Sequence, residues 1–90
     1  MTSLIDNVAR RRFEMEEAGQ VVFAAYRREG GRLIIDHVEA PSALRGAGAA
    51  GRFMEGLAAE ARATGEMIVP LCGYAATWLR RHPEHRDLIA

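Results

Sequence analysis

The sequence has no lysine, only one cysteine and no long hydrophobic run. A single cysteine, Cys72, excludes an internal disulfide framework and is typical of a protein in a reducing compartment. The apolar stretches are far shorter than the ~20 residues of a membrane-spanning helix. The first residues also lack the apolar run of a secretory signal. We therefore expect a cytoplasmic protein that does not enter a membrane.

Neither sign of charge is in excess. The 12 basic residues, all arginine, balance 12 acidic residues and give a formal net charge of zero at pH 7. A nucleic-acid-binding domain usually carries a positive excess, so we expect no nucleic-acid partner. With 90 residues, of which 49% are hydrophobic, the chain can form one folded domain over residues 1–90.

The first half of the chain has the pattern of short β-strands. Residues 13–16 alternate apolar and charged side chains, and Val21–Tyr26 and Leu33–Glu39 are rich in β-forming residues. The pair Gly30-Gly31 is typical of a tight hairpin turn. These segments predict an antiparallel β meander, preceded at Met1–Val8 by a short lead-in with few contacts.

The second half changes to helical periodicity. Apolar residues recur at helical spacing from Gly48 to Ala63, and Gly65 is a typical helix end. Met67–Leu71 predicts a fourth strand, in which Pro70 indicates a sheet edge, a strand end or a bulge, and Tyr74–Arg81 predicts a second, shorter helix. A strand-helix-strand crossover favours parallel pairing. The expected fold class is therefore α+β (mixed α/β), in the order β-β-β-α-β-α.

The segment ALRGAGAAGR, residues 43–52, joins the third strand to the long helix. Gly46 and Gly48 permit close approach to the backbone. The first N–H groups of the helix lack intrahelical acceptors, and the helix dipole adds positive potential. Arg45 and Arg52 add charged donors. The segment predicts a site for a phosphate or diphosphate, or it is a purely structural turn; it is not a Walker A loop, because no Gly-Lys-Ser/Thr follows.

The same turn resembles the Gln/Arg-x-x-Gly-x-Gly/Ala signature of the GNAT N-acetyltransferases. The chain further resembles a family of very short GNAT-like proteins over nearly its whole length. The matching segments are Arg12-Phe13-Glu14, Tyr26, His37-Val38-Glu39-Ala40-Pro41, Val69-Pro70-Leu71-Cys72 and Arg81-His82-Pro83-Glu84. Two positions depart from that family, Val38 from its usual threonine and Gly73 from its common proline, and both affect the expected acceptor side.

The resemblance implies a compact GNAT-like fold, acetyl-CoA as co-substrate and an amine acceptor of unknown identity, in a monomer or weak dimer. In GNAT proteins acetyl-CoA lies where two parallel strands splay apart. By this resemblance His37 and Val38 would lie beside its pantetheine. Its diphosphate would bind at Arg45, Gly46, Ala47, Gly48, Ala49, Ala50 and Gly51.

Three side chains are candidates for the chemistry of acetyl transfer. Glu39 shares a strand face with His37, about 7 Å away, and is a candidate base, or the two simply flank a strand end. Cys72 is an acetyl acceptor, a proton donor to the leaving thiolate, or a small buried hydrophobe. Tyr74, and less favourably Tyr26, is a general acid or a packing group.

His82 and His85 are spaced at i and i+3, but no cysteine or carboxylate constellation in the sequence completes a metal site, so we expect no metal. The leading hypothesis is transfer of acetyl from acetyl-CoA to a primary amine. A non-catalytic acyl-CoA-binding or regulatory module is the alternative, because so short a chain spares few residues for an acceptor pocket. A structural or protein-interaction domain is a third possibility.

Overall fold

The computed structural model describes residues 4–44 and 46–90, which form one mixed sheet and two α-helices. The strands are β1 (Ile5–Asn7), β2 (Arg12–Glu17), β3 (Gln20–Glu29), β4 (Arg32–Glu39) and β5 (Met67–Pro70). The helices are α1 (Ala49–Thr64) and α2 (Gly73–Arg80). Short 3₁₀ turns occupy Val8–Arg10, Ser42–Leu44 and Pro83–Leu88. The predicted α+β class is confirmed, with one more strand than expected.

The strands lie side by side in chain order. β1 to β4 are antiparallel, and β5 joins β4 in parallel after the crossover through α1. Gly30 and Gly31 connect β3 to β4 with φ values of 56° and 78°. Positive φ at both positions is what a two-residue type I′ hairpin turn requires. The meander, the parallel pairing and the edge position of the proline-containing strand are therefore confirmed.

The prediction that residues 1–8 form a lead-in with few contacts is wrong for the described part of that segment. Ile5–Asn7 pairs with the start of β2, and Asp6 accepts a hydrogen bond from the hydroxyl of Tyr26. A strand of three residues is too short to show alternation, and its partners lie elsewhere in the chain. Residues 1–3 lie outside the described residues.

Both helices contribute to one core, which covers a single face of the sheet. Its strand members alternate along β2, β3 and β4, as a single sheet face requires. The core comprises Phe13, Met15, Val22, Ala24, Tyr26, Leu33, Ile35, Leu44, Ala49, Phe53, Met54, Leu57, Ala58, Ala61, Ile68, Ala75, Trp78, Leu79 and Leu88. The opposite face carries neither helix. Within the described residues, no helix is long and apolar enough to cross a membrane.

A β-bulge interrupts β4 near its end. Ala25 pairs with His37, whereas the next residue of β3, Tyr26, pairs with Ile35. Asp36 therefore has no partner in β3, which is the pattern of one extra residue in β4. Such a bulge bends its strand and increases the local twist.

The bulge has two consequences for the sheet. First, buried positions change from odd to even numbers, because Ile35 is buried before the bulge and Val38 packs on the core after it. Second, β4 continues beyond its last pair with β5, which joins Ile35 to Pro70.

Arg27 fixes the Asp36 carboxylate with hydrogen bonds of 2.9 and 2.8 Å, which lower the pKa of Asp36.

A charged cluster fastens the other end of the sheet. Arg28 donates hydrogen bonds to Glu66 (2.9 Å) and Asp6 (3.0 Å), and its guanidinium lies over the ring of Tyr26. Burial raises the pKa of Tyr26, and the hydrogen bond to Asp6 adds to this shift. The cluster thus joins β1, β3 and the connection between α1 and β5.

We expect Leu57→Ala to reduce the free energy of unfolding by roughly 2–5 kcal/mol, because Leu57 is fully buried in the core. Urea unfolding followed by circular dichroism measures this change. Glu60→Ala, also on α1 but only half-buried, is the control and should change stability by no more than about 0.5 kcal/mol. Equal losses in both variants would contradict the assigned core.

Stability should also fall at alkaline pH because of Tyr26. Its raised pKa means that the unfolded chain loses the phenolic proton first, so stability is full below about pH 10 and declines as pH rises through the pKa of the folded state. Tyr26→Phe should show a shallower decline when urea midpoints are compared between pH 9 and 11 (about one unit either side of that value). Parallel pH profiles would contradict this role.

Candidate functional site

Two cavities adjoin where β4 leaves β5. The strand-end cavity has a volume of about 290 Å³, and its lining is His37, Val38, Glu39, Ala40, Ala50 and Tyr74. The turn cavity has a volume of about 350 Å³, and its lining is Ala40, Leu44, Gly46, Gly48, Ala49, Ala50, Gly51 and Tyr74. Ala40, Ala50 and Tyr74 line both cavities, which together are referred to as the cleft.

The front of α1 faces the turn cavity. Gly48 precedes the helix with φ 80°, in the left-handed region that favours glycine. The helix begins with a hydrogen bond of 3.1 Å from the Arg52 amide to the Gly48 carbonyl. The amides of Ala49, Ala50 and Gly51 therefore have no acceptor within the helix. Together with the helix dipole, they make this end attractive to an anion.

The residues of the predicted anion turn that precede Gly48 have surroundings that differ from those of the helix amides. The Ala47 amide donates to the Leu44 carbonyl (3.1 Å), so this amide is already used within the turn. Gly46 lines the turn cavity. Arg45 lies outside the described residues.

Arg52 ties this turn to the hairpin between β2 and β3. Its Nε and Nη2 atoms donate to the Glu17 carboxylate at 2.7 and 2.9 Å, and Nη2 also donates to the Ala47 carbonyl at 2.8 Å. The hydrogen bond from Arg52 lowers the pKa of Glu17. A Cβ atom on Gly48 would lie 3.0 Å from Arg52 Nη1, so a larger residue there would crowd the guanidinium.

His37 and Glu39 line the strand-end cavity and contact each other. His37 Nε2 lies 3.2 Å from Glu39 Oε1, within hydrogen-bonding distance. The expected spacing of about 7 Å describes the backbone repeat of a strand, whereas the flexible side chains lean together. Both side chains are more than half exposed, at 57% and 59%. The Glu39 carboxylate is therefore accessible to solvent as well as to His37.

Tyr74 and Cys72 are two residues apart in the sequence, but only Tyr74 lines the cleft. Tyr74 lines both cavities, and burial raises its pKa, with a further contribution from Cys72. Its hydroxyl is protonated at neutral pH, as that of any tyrosine is, and the raised pKa makes it a weaker acid than an ordinary tyrosine. Cys72 is half-buried against the core and does not line the cleft. The structure thus brings Tyr74, Glu39 and the glycine turn together around one cleft and leaves the Cys72 side chain outside its lining.

Tyr26 lies in another part of the molecule. It lines a cavity of about 440 Å³ that has no lining residue in common with the cleft. Arg27 and Arg28 also line that cavity and are paired with carboxylates, and Arg11 lines it as well. Its greater volume alone does not make it the better candidate site.

One group of possible metal ligands occurs at the surface of the described chain. Glu55, Glu84 and His85 have ligand atoms within 4.8 Å of one another, and both glutamates are exposed. Glu55 lies on α1, and the spacing of His82 and His85 in the sequence could not indicate that Glu55 is close to His85. His85 Nε2 already lies 2.8 Å from Glu55 Oε1. This arrangement is explained by a surface hydrogen bond between the two segments.

Comparison with known proteins identifies one family. The family model described as GCN5-related N-acetyl-transferase matches residues 12–88, which include β2 to β5, both helices and the glycine turn. No curated protein matches the chain. The match begins after β1, so the strand that the sequence did not predict also lies outside the family model.

We expect Arg52→Met to raise the pKa of Glu17 toward its ordinary value, because the variant removes the hydrogen bonds that favour the carboxylate. Carboxyl ¹³C NMR during an acid titration measures this pKa. A lowered pKa stabilises the fold above the unfolded value, and this stabilisation is lost as pH falls through the folded value. Arg62→Met, which should affect Asp87 instead, is the matched control. An unchanged Glu17 titration in Arg52→Met would contradict the pairing.

Proposed function

Because the chain belongs to the GCN5-related N-acetyl-transferase family, we propose that it transfers acetyl from acetyl-CoA to a primary amine, with acetyl-CoA bound in the cleft. The observation that carries this proposal is the shared boundary of the two cavities. An anion-attracting helix front lines one cavity, and acid–base side chains line the other. The bound thioester would supply an activated acetyl group, and the protein supplies binding, orientation and proton transfer.

The front of α1 is suited to the diphosphate. The amides of Ala49, Ala50 and Gly51 offer donors without intrahelical acceptors, and small residues let an anion approach them. Gly46 and Gly48 leave space in the turn cavity, since neither carries a side chain. Ala47 would contribute through the shape of the turn, because its amide is already bonded to Leu44. Arg45 would add a charged donor.

The end of β4 is suited to pantetheine. His37 and Val38 lie beyond the last β4–β5 pair, so this part of β4 has backbone groups that are not paired with β5. Pantetheine contains two amide groups, which can pair with backbone in the way a neighbouring strand does. Val38, Ala40 and Ala50 give the cavity an apolar wall.

Two side chains are placed for proton transfer. Glu39 would accept a proton from the incoming ammonium, directly or through water, which leaves a neutral amine to form the new bond to the acetyl carbon. As the carbon–sulfur bond breaks, the Tyr74 hydroxyl would donate its proton to the sulfur, and the proton released by the acylated nitrogen would return to Tyr74 through solvent. Direct transfer is favoured over a route through Cys72, because Cys72 does not line the cleft.

A second candidate function is a non-catalytic acyl-CoA-binding or regulatory module. The favouring observation is that Glu39 is bonded to His37 and is well exposed, so it lacks the enclosed surroundings that tune many catalytic carboxylates. The same binding residues would serve either function. A measurement of acetyl transfer distinguishes the acetyltransferase from the binding module.

We expect Ala50→Leu to weaken CoA binding by about tenfold or more, the equivalent of ~1.4 kcal/mol, because its side chain would fill the junction of the two cavities. Isothermal titration calorimetry measures this affinity. Ala59→Leu, at an exposed position of the same helix, is the control and should bind as wild type does. If both leucine variants retain full affinity, the cleft is not the CoA site.

With acetyl-CoA and a panel of primary amines, the wild type should release free thiol. Glu39→Gln should lower kcat by roughly a hundredfold or more, because the base is lost while the shape is kept, and CoA affinity should not change. Thiol release by wild type with no effect of Glu39→Gln would remove Glu39 as the base. Tight CoA binding without turnover across the panel would favour the binding module.

A further inference from the structure

The indole of Trp78 lies against the first turn of α1. A Cβ atom added to Gly51 would stand 3.7 Å from Trp78 Nε1. Trp78 is only 8% exposed, and it lies one helical turn after Tyr74, which lines both cavities of the cleft. Residues four apart lie on the same face of a helix. The indole nitrogen therefore adjoins the part of α1 whose amides face the turn cavity.

The indole N–H has no acceptor among residues 4–44 and 46–90. Among the described residues, the fully buried side-chain nitrogen without a partner is His85 Nδ1, so the indole nitrogen of Trp78 retains access to water or to a ligand. Packing accounts for the position of the indole ring, but it does not give the N–H a hydrogen-bond acceptor. The ring stacks on His82, with centroids 3.8 Å apart and planes at 17°, and His82 Nδ1 lies 2.7 Å from the Trp78 carbonyl. The donor is thus held in a fixed orientation beside Gly51.

We propose that the Trp78 indole N–H donates a hydrogen bond to the diphosphate bound at the front of α1, through the space left by the missing side chain of Gly51. This inference rests on the proposed binding of acetyl-CoA in the cleft. It assigns a ligand-binding role to a residue that hydrophobic periodicity alone places in the core. It also gives Gly51 a specific role, because this glycine has an ordinary helical φ and no backbone reason to be glycine.

Gly51→Ala is the sharpest variant, because it should separate stability from binding. Alanine has the higher helix propensity, and its methyl group would make only an ordinary van der Waals contact with the indole, so the unfolding midpoint should stay equal or rise. The methyl group would nevertheless occupy the space beside the N–H. We expect CoA affinity to fall about tenfold, the effect of losing one hydrogen bond to a charged group.

Gly56→Ala is the matched control on the same helix. Its new methyl group would contact only Leu4, at 3.6 Å, and it makes the same change in helix propensity. It should bind CoA as wild type does. Trp78→Phe is the complementary variant, because it keeps an aromatic ring against His82 and removes the donor together with part of the buried indole. It should also lose about tenfold in CoA affinity.

A comparison of CoA with pantetheine shows whether the recognised part is the nucleotide end of CoA, which includes the diphosphate. Calorimetry should show that Gly51→Ala and Trp78→Phe weaken CoA binding and leave pantetheine binding unchanged, because pantetheine lacks the diphosphate. Unchanged CoA affinity in Gly51→Ala would overturn the inference, even if Trp78→Phe failed to fold. An equal loss for both ligands would also overturn it, since that result assigns Trp78 to packing.

The wild-type protein separates failure of this inference from failure of the proposed function. If wild type binds neither CoA nor pantetheine, the proposed function fails and this inference with it. If wild type binds CoA and the variants bind it equally well, only the role of Trp78 fails. Trp78 is the single tryptophan of the chain, so its fluorescence gives a second readout. CoA should change its emission, and pantetheine should change it less.

Discussion

Backbone hydrogen bonding along β4 determines where the cleft proposed to bind acetyl-CoA lies. On one side, β4 is paired with β3 to its end; on the other, its pairing with β5 ends at Ile35. The bulge at Asp36 bends β4 after that pair, and β5 itself ends at Pro70, shortly before α2 begins. Unpaired backbone groups are costly when they are buried, so a stretch without a strand partner persists only beside solvent or a ligand. The strand-end cavity lies at that stretch.

Fixed interactions around the glycine turn reduce the cost of binding an anion there. Arg52 is already held by Glu17 and by the Ala47 carbonyl, so the turn is attached to the β2–β3 hairpin before a ligand arrives. At the other side, the indole of Trp78 is fixed by stacking on His82. A site whose groups are ordered in advance loses less conformational entropy on binding. The small residues of the turn are thus supported by larger side chains on both sides.

Local patterns in the sequence were sufficient for most of the fold. Alternation, helical spacing and the glycine pairs located four strands and both helices, with ends that differ from the structure by at most three residues. The same patterns located the turn at the front of α1, because its composition is local. They could not locate β1, since three residues show no period and its strand partner, β2, begins five residues after it ends.

The parts of the site that sequence reasoning missed depend on distant pairs. Glu17 contacts Arg52 across 35 positions, and Trp78 meets Gly51 only because α2 packs against α1. No composition or spacing signals such contacts. For Cys72, the sequence left open both a role at the thioester and a packing role, and its side chain packs against the core.

The uncovered face of the sheet also bears on the approach of an acceptor. After the bulge, His37 and Glu39 project from the side of β4 opposite Val38, and His37 lies edge-on to Phe23, with ring centroids 6.4 Å apart. Ala50 of α1 and Tyr74 of α2 line the strand-end cavity together with Glu39, so both helices bound the cavity on one side. The Glu39 side chain is nevertheless 59% exposed, so an acceptor would approach its carboxylate from the side that faces solvent.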